Sequence, residues 1–205
     1  QAADAAAWVD GGMREAGIIS VWKHFPGHGN TATDSHQALP VVELSREDWA
    51  RGDAVPFRRA VECGAPAVMA GHIRMTAFDP EYPASLSHVL VSEVLREELG
   101  FTGVVCTDDL TMGAISDTYG MGEAAVLAVE AGCDLLLVCH GADNLTQARQ
   151  ALLGAVDGGR ISPARLEESV YRILALKAEY GLTNQTVEAP DVAALNQAVQ
   201  ALLGE

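Results

Sequence analysis

Residues 23–40 of the chain read KHFPGHGNTATDSHQALP, and the apolar run IISVW of residues 18–22 leads directly into them. A short apolar run of this kind is typical of a buried strand, which would deliver Lys23 and His24 to its carboxyl end. The loop that follows is broken by glycine and proline and holds two further histidines and an aspartate. Because loops after strands carry the chemistry of α/β proteins, these residues are the first candidates for a functional site.

The rest of the chain repeats this alternation of apolar strands and amphipathic helices. Further strands are predicted at residues 66–70, 103–107 and 132–140, and helices at residues 4–16, 45–63, 92–99, 122–131, 144–156 and from 162 onward. Near-continuous apolar strands flanked by helices indicate a parallel sheet that is covered on its faces. Four such βα units make about half of a (β/α)8 barrel, so the predicted fold class is α/β.

Two carboxylates follow the third predicted strand. Residues 104–114 read VVCTDDLTMGA, and Asp108 is the first polar residue after the predicted strand. In a barrel this position points into the mouth, which makes Asp108 the leading candidate for a catalytic carboxylate. The alternative is an aspartate that caps the next helix. Asp109 is expected to support its neighbour, for example as a hydrogen-bonding helix cap.

The triplet Asp34-Ser35-His36 offers a proton donor together with a group that can orient it. An unperturbed histidine titrates near about 6.5, so His36 could both give and accept a proton at working pH. Asp34 could accept a hydrogen bond from the ring and hold its tautomer. The alternative is an Asx turn that stabilises the loop beside an exposed histidine.

No metal and no cofactor are predicted. Three histidines in one loop permit a zinc hypothesis, but no HExxH or carboxylate–histidine pattern supports it. The four cysteines form no CxxC pair, and two of them, Cys106 and Cys139, lie in apolar runs. They are expected to be buried, reduced thiols, as in a cytoplasmic protein.

Composition limits the choice of partners. Hydrophobic residues make up 49% of the 205, enough to bury the core of one domain. The formal net charge is −15, which would repel nucleic acid and anionic membranes. No run approaches the ~18 apolar residues of a membrane span. Neither nucleic acid nor a membrane is therefore expected as a partner.

KHFPGHG, the following DSH and the downstream TDDLTMGA together resemble the β-N-acetylglucosaminidases of glycoside hydrolase family 3, with matching flanks from about residue 10 to residue 180. The resemblance implies a (β/α)8 TIM-type barrel, of which this sequence carries roughly the second half. Residues 1–182 would be the C-terminal part of the catalytic barrel, and residues 183–205 a terminal helix or tail. The stretch with the first strands is expected to precede them.

The resemblance also implies roles for individual residues. Asp108 would be the nucleophile, and His36, oriented by Asp34, would be the acid/base. Lys23 and His24 would hydrogen-bond sugar hydroxyls. For Lys23, a buried ion pair with one of the two strand-end aspartates is the alternative.

The other histidines are less informative. His72 ends the next predicted strand after the motif, at residues 66–70, and is expected to line the cleft as a substrate-binding residue. His28, between two glycines, is either structural or functional. Arg74 is expected at the rim, and His88 and His140 are expected to be non-catalytic.

The expected function is that of a retaining exo-β-N-acetylglucosaminidase. Its partner would be a small carbohydrate, an N-acetylglucosamine-containing muropeptide in the cytoplasm, and the full-length protein would be a monomer. Phosphorolysis is an alternative, because a histidine acid/base does not repel phosphate as a carboxylate would. A non-catalytic carbohydrate-binding remnant is the alternative outside enzymes.

Overall fold

The computed structural model describes residues 1–31 and 39–204 of the chain. The strands in this part are β1 Val21–Phe25, β2 Val41–Val42, β3 Ala67–Ala70, β4 Arg74–Met75, β5 Val104–Asp109 and β6 Leu135–Leu137. Four of them form one parallel sheet in the order β1-β3-β5-β6, and β2 and β4 form a small parallel pair. Because the four strands are parallel, all their C-terminal ends lie on one side of the sheet, which we call the carboxyl edge. Their N-terminal ends lie on the opposite side, the amino edge.

Helices connect and follow the strands. They are α1 Ala2–Glu15, α2 Arg46–Arg51, α3 Val55–Glu62, a 3-10 turn Ala84–Leu86, a π-helix Val89–Glu98, α4 Gly113–Ser116, α5 Met121–Ala131, α6 Ala142–Asp157, α7 Pro163–Glu179 and α8 Val192–Leu203. Ser45 caps α2 by accepting a hydrogen bond from the Asp48 amide. Ser162 caps α7 in the same way, with Pro163 in its first turn. Serine oxygens satisfy amides that have no partner inside the helix.

The register of the sheet pairs specific residues on neighbouring strands. Met69 of β3 pairs with Cys106 of β5, and Cys106 pairs with Leu135 of β6. Strands β3 and β6 are wholly apolar, as expected for strands that are covered on their faces, whereas β1 and β5 also contain polar residues. The predicted α/β class with a parallel sheet is confirmed, and the four strands are half the number in a (β/α)8 barrel.

Aromatic side chains pack helices α2 and α3 against β1. The Phe25 ring meets Phe57 at 5.2 Å and Trp49 at 6.4 Å between centroids, both edge to face. The Trp49 indole Nε1 also donates a hydrogen bond of 2.8 Å to the Pro26 carbonyl. These contacts attach α2 and α3 to the loop that follows β1.

A buried carboxylate at the amino edge of the sheet connects helix α7 to the sheet. The Asp134 side chain is 0% exposed. Its Oδ1 accepts hydrogen bonds from Ser169 (2.6 Å) and Arg172 (3.0 Å), and its Oδ2 accepts them from Arg96 (2.6 Å) and the Val105 amide (3.0 Å). Such a node joins α7, the π-helix and β5, and we call it the Asp134 node.

Three predicted boundaries are wrong. Strand β1 starts at Val21, so Lys23 and His24 lie inside it rather than beyond its end. The helix predicted over residues 45–63 is two helices, since Pro56 lacks the amide that a continuous helix needs. The strand predicted over residues 132–140 is limited to β6, because Gly132 has a φ of 115° and the next residues serve the Asp134 node.

The end of β6 also corrects one cysteine prediction. Cys106 is buried as expected, but Cys139 is exposed because it lies past the last strand residue. The final helix, α8, begins at its cap Asp191 and is exposed along its length. None of the described helices combines the length and apolarity that crossing a bilayer requires.

Candidate active site

The site lies at the carboxyl edge of the sheet, where β1 and β5 approach each other across β3. His24 of β1 and Asp108 of β5 are 3.6 Å apart, measured from Nε2 to Oδ2. Gly71, directly after β3, leaves the space between them. A Cβ atom on Gly71 would lie only 3.0 Å from the His24 Cβ. A glycine at this position therefore allows the His24 side chain of β1 to reach Asp108 of β5 across the end of β3.

Asp108 is held from one side and open on the other. Its Oδ1 accepts a hydrogen bond of 2.8 Å from the Asp109 amide, and its Oδ2 faces His24. The side chain remains 18% exposed. Burial lowers the pKa of His24, and the Asp108 carboxylate opposes this effect. Burial thus favours the neutral form of His24, and within the described residues the Asp108 Oδ2 accepts no hydrogen bond.

Asp109 faces away from this opening and braces two loops. Its Oδ1 accepts hydrogen bonds of 3.0 Å from the amides of Thr111 and Cys139, and its Oδ2 accepts one of 2.6 Å from the Thr111 hydroxyl. Burial acts to raise the pKa of Asp109, but these hydrogen bonds hold it below its usual range. The residue connects the loop after β5 to the loop after β6.

His72 is buried beneath the carboxyl edge of the sheet rather than exposed at it. The ring is 1% exposed, and its Nε2 donates a hydrogen bond of 2.9 Å to the Asp109 carbonyl. Since Nε2 carries the proton, Nδ1 accepts a hydrogen bond of 2.7 Å from the Ser85 hydroxyl. Both ring nitrogens are occupied within the protein, so this placement gives His72 no group to offer a substrate, contrary to the sequence-based expectation. It supports the end of β5 instead.

Lys23 is exposed in β1, and the Lys23–His24 and Phe25–Pro26 peptides are both cis. No carboxylate in the described part of the chain lies within 4.0 Å of its ammonium group. The alternative of a buried ion pair with Asp108 or its neighbour is therefore not observed.

The first half of the motif loop is anchored to the turn between α2 and α3. Asn30 donates hydrogen bonds of 2.9 Å to both carboxylate oxygens of Asp53. Gly27 has a φ of 129°, and a Cβ atom there would lie 2.6 Å from the Asp53 Cβ. The His28 Nδ1 contacts the Thr31 hydroxyl, which donates a hydrogen bond of 2.9 Å to the His28 carbonyl. His28 thus has a structural role within the loop.

The predicted acid/base pair, Asp34 and His36, lies in residues 32–38, outside the described residues. The chain continues in β2, where Val41 pairs with Arg74 of β4, just beyond the loop after β3.

Sequence reasoning missed three contributors to the site. Gly71 supplies the gap under His24, Ser85 orients His72, and Thr111 holds Asp109. Only Gly71 carried a sequence signal, as a glycine directly after an apolar run. His140, expected to be non-catalytic, is 83% exposed at the mouth, with Nε2 3.7 Å from the Asp109 Oδ2.

No group of three or more potential metal ligands occurs among the residues that the structure describes. The chemistry available there is that of an accessible carboxylate, a neutral imidazole and an exposed ammonium group. A carboxylate held in this way can stabilise a developing positive charge or bond covalently to an electrophilic carbon.

A model of the family described as "Glycosyl hydrolase family 3 N terminal domain" matches residues 2–176. The β-hexosaminidase of Alkalilimnicola ehrlichii is 45% identical over 136 residues, which are 66% of this chain and 38% of that protein. The β-hexosaminidase of Thiobacillus denitrificans is 40% identical over 154 residues, 75% of this chain and 42% of that protein. The chain thus spans less than half the length of these two curated relatives.

Solved structures give the same family. A glycoside hydrolase family 3 β-N-acetylglucosaminidase from Paenibacillus superposes with a TM-score of 0.87 at 46% identity, over 91% of this chain and 36% of that one. A β-glucoside phosphorylase superposes with a TM-score of 0.80 at 30% identity, over 90% of this chain and 34% of that one. The predicted fold, part of a TIM-type (β/α)8 barrel, is confirmed.

Proposed function

This chain belongs to glycoside hydrolase family 3, and we propose that the full-length product of its gene is a retaining exo-β-N-acetylglucosaminidase. The observation that carries the proposal is the placement of Asp108. Its carboxylate lies at the carboxyl end of β5, oriented by one amide and open toward His24. In barrel enzymes, catalytic groups occupy this end of the strands.

Asp108 is proposed as the nucleophile. Glycoside cleavage passes through an oxocarbenium-like state, which an ionised carboxylate beneath the anomeric carbon stabilises. One Asp108 oxygen then bonds to that carbon while the glycosidic bond breaks. The backbone amide of Asp109 holds the other oxygen at 2.8 Å and so limits rotation of the group. Water later displaces the carboxylate, and two inversions give net retention.

His36, assisted by Asp34, is proposed as the acid/base. It would protonate the leaving oxygen in the first step and take a proton from water in the second. The assignment rests on the DSH motif, since both residues lie outside the described part of the chain.

Lys23 and His24 are proposed to bind sugar hydroxyls. Lys23 has an ammonium group without a carboxylate partner in the described residues, and His24 lies beside the open oxygen of Asp108. A neutral imidazole can donate one hydrogen bond and accept another, which matches the two capacities of a hydroxyl. His24 therefore suits a sugar better than a charged histidine would.

The proposed substrate is a muropeptide that ends in N-acetylglucosamine, hydrolysed by a monomeric enzyme in the cytoplasm. The names of the curated relatives and of the Paenibacillus structure support the sugar. The four free cysteines suit a reducing compartment.

The test is turnover of a chromogenic β-N-acetylglucosaminide by the full-length gene product and its Asp108→Ala variant. We expect a loss on the order of 10³-fold or more, because removing the nucleophile leaves binding and electrostatics only. Asp117→Ala, which removes an exposed carboxylate from the same segment, is the matched control. Near-wild-type turnover in Asp108→Ala would exclude the mechanism, and an inactive wild type would favour a carbohydrate-binding remnant.

Phosphorolysis is the second candidate, favoured by one observation. The superposed β-glucoside phosphorylase is 30% identical over 90% of this chain. A histidine acid/base would also tolerate phosphate near Asp108 better than a second carboxylate. Adding inorganic phosphate and measuring N-acetylglucosamine 1-phosphate separates the two reactions, because only a phosphorylase forms that product.

A further inference from the structure

Asp109 is hydrogen-bonded through its amide, its carbonyl and both oxygens of its side chain. The amide donates to the Asp108 Oδ1 at 2.8 Å, and the carbonyl accepts a hydrogen bond of 2.9 Å from the His72 Nε2. The carboxylate accepts three more hydrogen bonds, two from Thr111 and one from the Cys139 amide. Because a fully bonded polar network is rigid, the amide that faces the nucleophile is held in one place.

The Asp109 carboxylate itself is not offered to a substrate. Within residues 1–31 and 39–204, its Oδ1 accepts hydrogen bonds from two amides, and its Oδ2 accepts one from a hydroxyl and lies 3.7 Å from the His140 Nε2. The side chain is 12% exposed. The Asp108 Oδ2, by contrast, accepts no hydrogen bond in the same part of the chain. Asp109 can therefore influence the reaction through Asp108 rather than by contact with the sugar.

The Thr111 hydroxyl makes a contact that a turn alone does not require. The turn before α4 is already formed by two hydrogen bonds of 3.0 Å, from the Thr111 amide to the Asp109 Oδ1 and from the Met112 amide to the Asp109 carbonyl. The hydroxyl adds a bond of 2.6 Å to the other carboxylate oxygen, the shortest that Asp109 makes among the described residues. Hydrogen bonds to an ionised acceptor are short and strong. With both oxygens bound, the Asp109 carboxylate cannot rotate.

We propose that Asp109 and Thr111 are positioning residues, which hold the Asp109 amide so that the Asp108 carboxylate is oriented for attack on the sugar. This proposal deepens the proposed glycosidase function and rests on it. A group that is already oriented does not have to be ordered when the reaction occurs, and a small misplacement is costly. In a purely structural role, Asp109 and Thr111 would only form the turn before α4 and would affect stability without affecting the rate of attack.

The test isolates the step in which Asp108 bonds to the sugar. The full-length gene product is mixed with an N-acetylglucosamine derivative that is fluorinated on the ring and carries a good leaving group, so that the adduct is released slowly. Residual turnover of a chromogenic glycoside, followed at several reagent concentrations, gives the dissociation constant of the reagent and a first-order rate constant for bond formation. A good leaving group scarcely needs a proton donor, so this rate constant reports on the nucleophile.

Thr111→Val removes the hydroxyl and keeps the shape of the side chain. We expect the rate constant for bond formation to fall roughly tenfold while the dissociation constant changes less than about twofold. Thr111→Ser restores the hydroxyl donor and should stay within about threefold of the wild-type rate constant. Asp109→Asn replaces the charged acceptor and should slow bond formation roughly 10- to 100-fold.

Thr146→Val is the matched control, since the hydroxyl of this exposed threonine in α6 donates a hydrogen bond of 3.1 Å to the Ala142 carbonyl, away from the site. It should leave both constants at their wild-type values. Should Thr111→Val fail to fold, Thr111→Ala takes its place with the same expectation.

Three results would overturn the proposal. They are a wild-type rate constant in Thr111→Val, a Thr111→Ser variant as slow as Thr111→Val, and a weaker dissociation constant at an unchanged rate constant, which would place Thr111 in contact with the sugar. A wild type that forms no adduct and cleaves no chromogenic glycoside contradicts the glycosidase function instead, which is a separate outcome.

Discussion

Asp108 and Asp134 lie at opposite edges of the same sheet and have opposite surroundings. The Asp134 carboxylate is fully buried and accepts four hydrogen bonds, two of them from arginines. Within the described residues, Asp108 accepts one hydrogen bond and remains 18% exposed. A carboxylate whose oxygens are all bound contributes to the fold, whereas one with a free oxygen is available for chemistry. The amino edge thus contributes to the stability of the fold, and the carboxyl edge carries the candidate site.

The largest stability effect is expected at the amino edge. Replacing Asp134 by Asn removes the buried charge that faces Arg96, Arg165 and Arg172, of which Arg172 keeps a second carboxylate partner in Glu168. We expect a loss of about 3–5 kcal/mol in the free energy of unfolding, measured by urea denaturation. Asp108→Asn should change that free energy by less than about 0.5 kcal/mol while abolishing turnover. Equal destabilisation by the two substitutions would remove the distinction between the edges.

His72 connects stability to the carboxyl edge, and its effect should depend on pH. Burial lowers the pKa of His72, although its hydrogen bond to the Asp109 carbonyl acts in the other direction. Below about pH 6.5 the unfolded chain protonates this histidine while the folded protein keeps it neutral. The unfolded state then binds more protons, so stability falls as pH drops below about 6.5.

His72→Gln removes this titration. At neutral pH we expect it to cost about 1–3 kcal/mol, because the hydrogen bonds of a buried polar group are disturbed. The difference in unfolding free energy between wild type and variant should shrink as the pH falls below about 6.5. Urea denaturation at several pH values measures it. A difference independent of pH would mean that His72 is not held neutral.

A smaller effect is expected from Gly71→Ala. The added Cβ atom would lie 3.0 Å from the His24 Cβ and 3.3 Å from the Ile73 Cδ1, so His24 must move by a few tenths of an ångström. We expect a loss of roughly tenfold in kcat/KM on a chromogenic glycoside, since small misplacements in an active site are costly. Gly11→Ala, in open space on α1, is the control. Unchanged activity in Gly71→Ala would show that His24 can accommodate the added methyl group without leaving its functional position.

The sequence indicated which side chains lie near the carboxyl edge better than it indicated what those side chains contact. Apolar runs that end in polar residues predicted Lys23, His24 and Asp108 at one edge. His24 and Asp108 do lie 3.6 Å apart, although Lys23 and His24 are inside β1 rather than after it. The gap above Gly71 depends on the spacing of three strands, which no local pattern encodes. His72 has the same local pattern as an exposed strand-end residue, and its burial becomes visible only in its long-range contacts with Ser85 and the Asp109 carbonyl, 13 and 37 residues later.

The amino edge was harder to predict. Asp134 precedes a run of leucines and was assigned to the strand, since its arginine partners lie 38 residues away on either side. The break between α2 and α3 had a local cause in Pro56 and was predictable. Long-range polar contacts are therefore what the sequence alone could not supply.

The most direct measurement for the carboxyl edge is identification of the residue that bonds to the sugar. The full-length gene product is incubated with a slow N-acetylglucosamine derivative that is fluorinated on the ring and carries a good leaving group, and then digested and analysed by mass spectrometry. The account predicts one glycosyl adduct, on the peptide that contains Asp108, and a released product of retained configuration. An adduct on another residue, or turnover with inverted configuration and no adduct, would contradict it.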